Sequence, residues 1–162
     1  MKKIIMTILA LASAVCVMAQ SSKPIPIGVY VSDDNSVVPS MAQATLNDKL
    51  RQIVTRNGMG ADNNAQFFIT CTVNLTDKDV ISGAPARIVQ NADLSFYIAD
   101  AATERIYETY SMSVRGVGEN ETKAFVAAFK SVKPTAPEFS KFVASGSKKI
   151  VAYYESQIDN LI

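Results

Sequence analysis

Three consecutive runs of alternating apolar and polar residues constrain this chain more than any other feature. Phe67 to Leu75 alternates, Ala92-Asp-Leu94-Ser-Phe96-Tyr-Ile98 alternates, and Ile106 to Val114 does so less cleanly. A period of two sends successive side chains to opposite faces, which is the pattern of a half-buried strand. Asp100-Ala-Ala-Thr-Glu104 reads as a hairpin connection between the second and third runs. Thr76 to Val89, with Asp77, Asp79, Gly83 and Pro85, reads as a long, mobile loop between the first and second. An earlier run, Ile25 to Val31, also alternates, with Pro26 suited to a strand start or an edge.

Helical patterns flank these strands. Ser40 with Gln43 has the form of a capping box, opening a helix that runs to Asn57 with Gly58 at the C′ position. Its buried stripe is Leu46, Leu50, Ile53 and Val54, with Asp48, Lys49, Arg51 and Arg56 mostly outward. Gly116 and Gly118 break the last strand and lead to a helix from about Asn120 to Val132 that buries Phe125, Ala128, Phe129 and Val132. Thr135 with Glu138 forms a second capping box around an early helical proline, Pro137. The final helix buries Phe139, Phe142, Val143, Ile150, Tyr153 and Ile158, and Gly146 weakens it by about 1 kcal/mol relative to alanine. The order β-α-β-β-β-α-α predicts an α+β two-layer sandwich, a four-stranded and mostly antiparallel sheet with helices on one face.

A sheet covered on one side leaves the other side to be accounted for. That face carries small polar residues: Thr70, Thr72, Asn74, Asp93, Ser95, Thr109, Ser111 and Ser113. Tyr30, Phe68, Tyr97 and Tyr107 fall on the same parity, and if they cluster they form a sticky surface suited to a partner.

The first 19 residues read as a cleaved signal peptide. Lys2 and Lys3 precede an apolar stretch, Ile4 to Val17, and Val17-Met18-Ala19 supplies small residues for cleavage. Cys16 is not expected to carry lipid, because Val15 and Ser13 stand where a lipobox has a small residue and leucine. Residues 20–162 are then expected to form one α+β domain, soluble and exported to a periplasm or the exterior, without a transmembrane segment. Loss of Lys2 and Lys3 leaves 14 basic against 15 acidic residues, a balance that points to neither nucleic acid nor an anionic bilayer. Cys71 becomes the sole cysteine, so no internal disulfide can form, and its apolar setting predicts a buried, inert thiol.

Little in the chain suggests chemistry. There is no histidine, which removes Ser-His-Asp and Cys-His arrangements and nearly every zinc, copper or non-haem iron site. Asp33-Asp34-Asn35, Asp62-Asn63-Asn64 and Asp77-Lys-Asp79 lack the spaced ligands of a calcium loop. Ser145-Gly-Ser-Lys148 matches the S-x-x-K of penicillin-binding enzymes, but the partner motifs of that fold are missing. Gly116-Val-Gly118 precedes a helix, as phosphate loops do, yet Glu119 and Glu121 would repel a phosphate there. The expectation is no enzyme activity, no cofactor and no metal.

Several pieces together resemble a known exported module. They are the first strand and its L-x-x-x-L-x-x-I-V helix, the run Leu94-Ser-Phe-Tyr-Ile-Ala-Asp100, Gly116-Val-Gly118 before Lys123-Ala-Phe-Val-Ala-Ala-Phe129, and Lys149-Ile-Val-Ala-Tyr-Tyr154. This looks like the α/β domain shared by the curli-secretion lipoprotein CsgG, the penicillin-binding-protein activator LpoB and the TolB amino-terminal domain. The leader ending in Ala-Gln is similar to those of small secreted proteins of Bacteroidetes. The resemblance implies a non-catalytic envelope module that binds another envelope protein or itself, a homo-oligomer, through the open sheet face. The alternative is a small-ligand or glycan-binding module that uses the same aromatics, and a concave pocket on that face would favour it.

Overall fold

Continuous backbone pairing from residue 67 to residue 118 forms the frame of the protein. The computed structural model of the chain describes residues 25–30, 37–61 and 64–159. The leader, Asp33-Asp34-Asn35 and Asp62-Asn63 lie outside them. Strands β1 (Pro26–Val29), β2 (Gly60–Ala61), β3 (Phe67–Ile81), β4 (Arg87–Asp100) and β5 (Ile106–Gly118) join in one sheet of order β2-β1-β3-β4-β5. Helices α1 (Ser40–Arg56), α2 (Glu121–Lys130) and α3 (Pro137–Asp159) complete the chain. The expected order and the α+β class hold, with the two-residue β2 added. β1 runs parallel to both neighbours, while β3, β4 and β5 form an antiparallel meander.

The stretch expected to be a mobile loop is strand. Asp77 to Ile81 pairs with Asn91 to Arg87, and a register shift between Leu75 and Asp77 carries the ladder through. Val80, Ile81, Ile88 and Val89 are the β-branched residues that suit this extension, and only five residues connect the two strands. The correction has a clear cause: Asp77 and Asp79 look like loop residues, but both stand on exposed strand.

The helices cover one face only. Leu46, Leu50, Ile53 and Val54 of α1, Phe125 and Phe129 of α2, and Phe139 and Phe142 of α3 join Ile69, Cys71, Leu94, Phe96 and Ile98 of the sheet in one apolar core. Phe96 sits edge-on to Phe139, with ring centroids 5.0 Å apart. Cys71 is buried as expected, and loss of solvation pushes its thiol up to about 12. Ile158, expected inside, is 58% exposed, because α3 has passed the sheet by its last turns.

Helix ends are fixed by specific contacts. The α1 terminus is a Schellman motif: Met59 donates to the Val54 carbonyl, Gly58 donates to the Thr55 carbonyl, and Gly58 takes φ +80°. Its N-terminal capping box does not form. Ser40 is already helical, Pro39 holds the cap position, and Gln43 reaches back to the Val38 carbonyl at 2.9 Å. Asn120 caps α2 by accepting from the Lys123 amide. Lys49, expected to point outward, donates to the Lys130 and Val132 carbonyls and so covers the end of α2.

Gly116 and Gly118 do not break β5. They belong to it and let α2 lie directly on the strand. A Cβ on Gly116 would stand 1.9 Å from the Ala124 carbonyl oxygen and 2.4 Å from the Ala128 nitrogen. One on Gly118 would stand 2.4 Å from the Ala124 nitrogen. Gly146 of α3 is a milder case, since its neighbour is the flexible end of Ile98 at 2.6 Å. Backbone atoms cannot step aside as a side chain can, so Gly116→Ala should lower the unfolding free energy by about 3 kcal/mol. Gly60→Ala, which meets nothing within 4 Å, should cost less than about 1 kcal/mol. Urea midpoints at constant m-value measure both.

Candidate binding face on the open side of the sheet

The side of the sheet away from the helices is built from three polar rungs and an apolar end. Strand register lines up Thr70, Tyr97 and Thr109, then Thr72, Ser95 and Ser111, then Asn74, Asp93 and Ser113. These are the small polar residues expected on this face. Two rungs satisfy themselves: Ser95 and Ser111 share a hydrogen bond of 2.9 Å, and Ser113 donates to Asp93 at 2.6 Å.

The apolar end is concave. Tyr30, Phe68, Thr70, Tyr97, Ala99 and Ile106 line an open hollow of about 830 Å³. Phe68 packs edge-on against Tyr30 with centroids 5.9 Å apart, and Tyr30 is 52% exposed. On the floor, the Thr70 hydroxyl is buried and has no hydrogen-bond partner. Arg51, Asp100 and Glu104 also contribute to the lining, so the wall is mainly apolar with a few polar groups, the usual make-up of a binding hollow.

The structure therefore brings together three of the four expected aromatics, Tyr30, Phe68 and Tyr97. Tyr107 stands elsewhere. The β4–β5 ladder pairs Ile98 with Glu108 but the next residue, Ala99, with Ile106, so Tyr107 is the extra residue of a bulge. That residue turns to the helix side, where it is buried against Phe67 and Tyr153. Burial, with the Asp100 carboxylate nearby, raises its phenol above the ordinary tyrosine value. Ile106 takes the place expected for Tyr107, and no pattern in the strand residues announces the bulge.

Asp100 holds the end of the hollow in shape. Its carboxylate accepts hydrogen bonds from the Ala102 and Thr103 amides, the Gln66 side chain and the Tyr154 hydroxyl. One residue thus ties the β4–β5 turn to β3 and to the last turns of α3. Burial alone would raise this carboxyl, but the hydrogen bonds outweigh it and hold it below the usual aspartate value.

Residues considered for chemistry are spread over the molecule. Ser145 donates to Glu108, and it is Lys149 that pairs with the same carboxylate at 3.0 Å, so the S-x-x-K lysine, Lys148, is not its partner there. The Ser145 hydrogen bond and Lys149 hold Glu108 below its ordinary value. Asp77 and Asp79 stand on β3. Among the described residues no group of three or more His, Cys, Asp or Glu side chains could hold a metal ion, and no helix is long and apolar enough to cross a membrane.

The sign of the Asp100 shift sets its pH dependence. A carboxyl with a depressed folded-state value adds stability above its unfolded value, about 3.9, and loses it as pH falls through the folded value. Asp100→Asn should cost about 2 kcal/mol at pH 7 and flatten the decline of stability below pH 4. Urea melts between pH 2 and pH 7 compare the two proteins.

No protein-family model matches the chain, and no curated protein matches it. Similar solved structures include a minor lipoprotein from Acinetobacter baumannii, at 13% identity over 80% of this chain and 94% of that one, TM-score 0.41. A PelC dodecamer from Paraburkholderia phytofirmans matches at 12% identity over 77% and 89%, TM-score 0.43. A DUF330 protein from Xanthomonas campestris matches at 12% identity over 85% and 93%, TM-score 0.41. None of these three is a CsgG, LpoB or TolB protein.

Proposed function

We propose that this protein is an exported module of the cell envelope that binds another protein through the open face of its sheet and has no catalytic activity of its own. The observation that carries the reading is the hollow at the apolar end of that face. Tyr30, Phe68, Tyr97 and Ile106 surround about 830 Å³ of open space, and aromatic side chains of this kind anchor protein interfaces at low entropic cost. Two of the polar rungs beside it are already hydrogen-bonded internally and can form a polar rim. A leader with two lysines and an apolar stretch supports export, and the spread of candidate nucleophiles and carboxylates supports a role without chemistry.

The concavity also favours the second reading, a small and largely apolar ligand. A polar group on it would meet Arg51 or Glu104, which also line the hollow.

A photo-reactive side chain at position 97, irradiated in the producing cell, separates the two readings. One discrete protein adduct is expected, absent when the probe sits at Val151 on the exposed side of α3 and reduced by Tyr30→Asp. Equal labelling from both positions overturns the protein-binding reading. A small molecule released on denaturing the purified chain, and lost in the Tyr30→Asp variant, would establish the second reading in its place.

A further inference from the structure

We infer that β5 is a dimerisation edge, pairing antiparallel with β5 of a second copy so that two sheets become one. The sheet order ends at β5, and among the described residues no strand pairs with its outer side. β5 is 13 residues long, against two for β2 at the opposite edge. Proteins that must keep such an edge unpaired shorten it, or place proline, lysine or inward charges along it. Ile106-Tyr-Glu-Thr-Tyr-Ser-Met-Ser-Val-Arg-Gly-Val-Gly118 has no proline and no lysine, its two charges are of opposite sign, its inward charge, Glu108, is already paired with Lys149, and its bulge at Tyr107 leaves Glu108 to Gly116 regular. It is rich in aromatic and β-branched residues that favour pairing.

The strand is also complementary to itself. A two-fold axis through Met112 pairs the regular part of β5, from Glu108 opposite Gly116 inward, and leaves the bulge at Tyr107 outside the ladder. Antiparallel partners point to the same side of the sheet. Thr109 then faces Arg115 of the second copy and Ser111 faces Ser113 on the open side, while Tyr110 faces Val114 on the helix side. No like charges meet, and no side chain must cross from one face to the other. A second copy is the occupant because this register uses the regular edge from Glu108 to Gly116 and keeps both helix layers on one side. The open faces become one continuous floor, with a hollow near each end of the joined strands. This inference does not depend on what fills the hollow.

Sedimentation equilibrium of the purified chain across a concentration series tests it. A dimer is expected. Thr109→Lys, at an exposed position, sets lysine against Arg115 twice by symmetry and should weaken the dimer about tenfold. Adding Arg115→Glu makes the same pairs attractive and should restore it. Met112→Cys, on the axis, should give a covalent dimer on mild oxidation, whereas Val117→Cys should not, since only self-opposed cysteines come within disulfide reach. Tyr30→Ser should leave the dimer unchanged, which separates this edge from association through the hollow. A monomer at every concentration overturns the inference, as does a dimer that ignores Thr109→Lys or is dissolved by Tyr30→Ser.

Discussion

The close seating of α2 on β5 is the contact on which the rest of the architecture depends. Two glycines two positions apart, on the same face of the strand, present bare backbone to the helix, and Ala124 and Ala128 present nearly bare backbone in return. At that separation the buried surfaces are peptide planes and methyl groups, and dispersion is strongest where atoms can approach most closely. The position of α2 then fixes its neighbours. Lys49 reaches from α1 to the last carbonyls of α2, and α3 begins a few residues beyond. With all three helices committed to one side, the other side of the sheet receives no cover from them.

Much of this was legible in the sequence because two periodicities were strong. Alternation in β3 and β4 identified the core side chains Ile69, Cys71, Leu94, Phe96 and Ile98, and the 3.6-residue stripe of α1 identified Leu46, Leu50, Ile53 and Val54. The same periodicity separated the three polar rungs from the core. Glycine was harder to interpret. A glycine inside a strand pattern marks either a break or a close backbone approach, and only the partner decides which. Gly116 and Gly118 read as breaks in the sequence because the alanines that meet them lie in a different element.

The extension of the β3–β4 hairpin escaped for a related reason. Asp77 and Asp79 are poor strand formers by propensity, yet β4 is flanked by pairing on both sides and carries its neighbour along. Tertiary pairing outweighed local preference. Tyr107 shows the finer limit of reading a strand by parity. One bulge residue reverses the facing of every side chain beyond it, so Ile106 enters the hollow and Tyr107 enters the core. One of the four aromatics expected on the open face is thus a packing residue, held between Phe67 and Tyr153.

Where the open face keeps its free energy follows from how its polar atoms are satisfied. In the middle rungs hydroxyls and a carboxylate bond to each other, so a partner that covers them gains little and must remove water from groups already paired. At the apolar end the balance is reversed. Tyr30 and Ile106 each expose more than half of their surface, and covering apolar area yields about 25 cal/mol per Å². Arg51 and Glu104, which also line the hollow, add a directional element, because a partner can pair with their charges. Affinity and orientation are thus concentrated in the same few residues at one corner of the sheet. Asp100 keeps that corner in place, since the turn that carries Ala101 and Glu104 into the wall of the hollow is folded around its carboxylate.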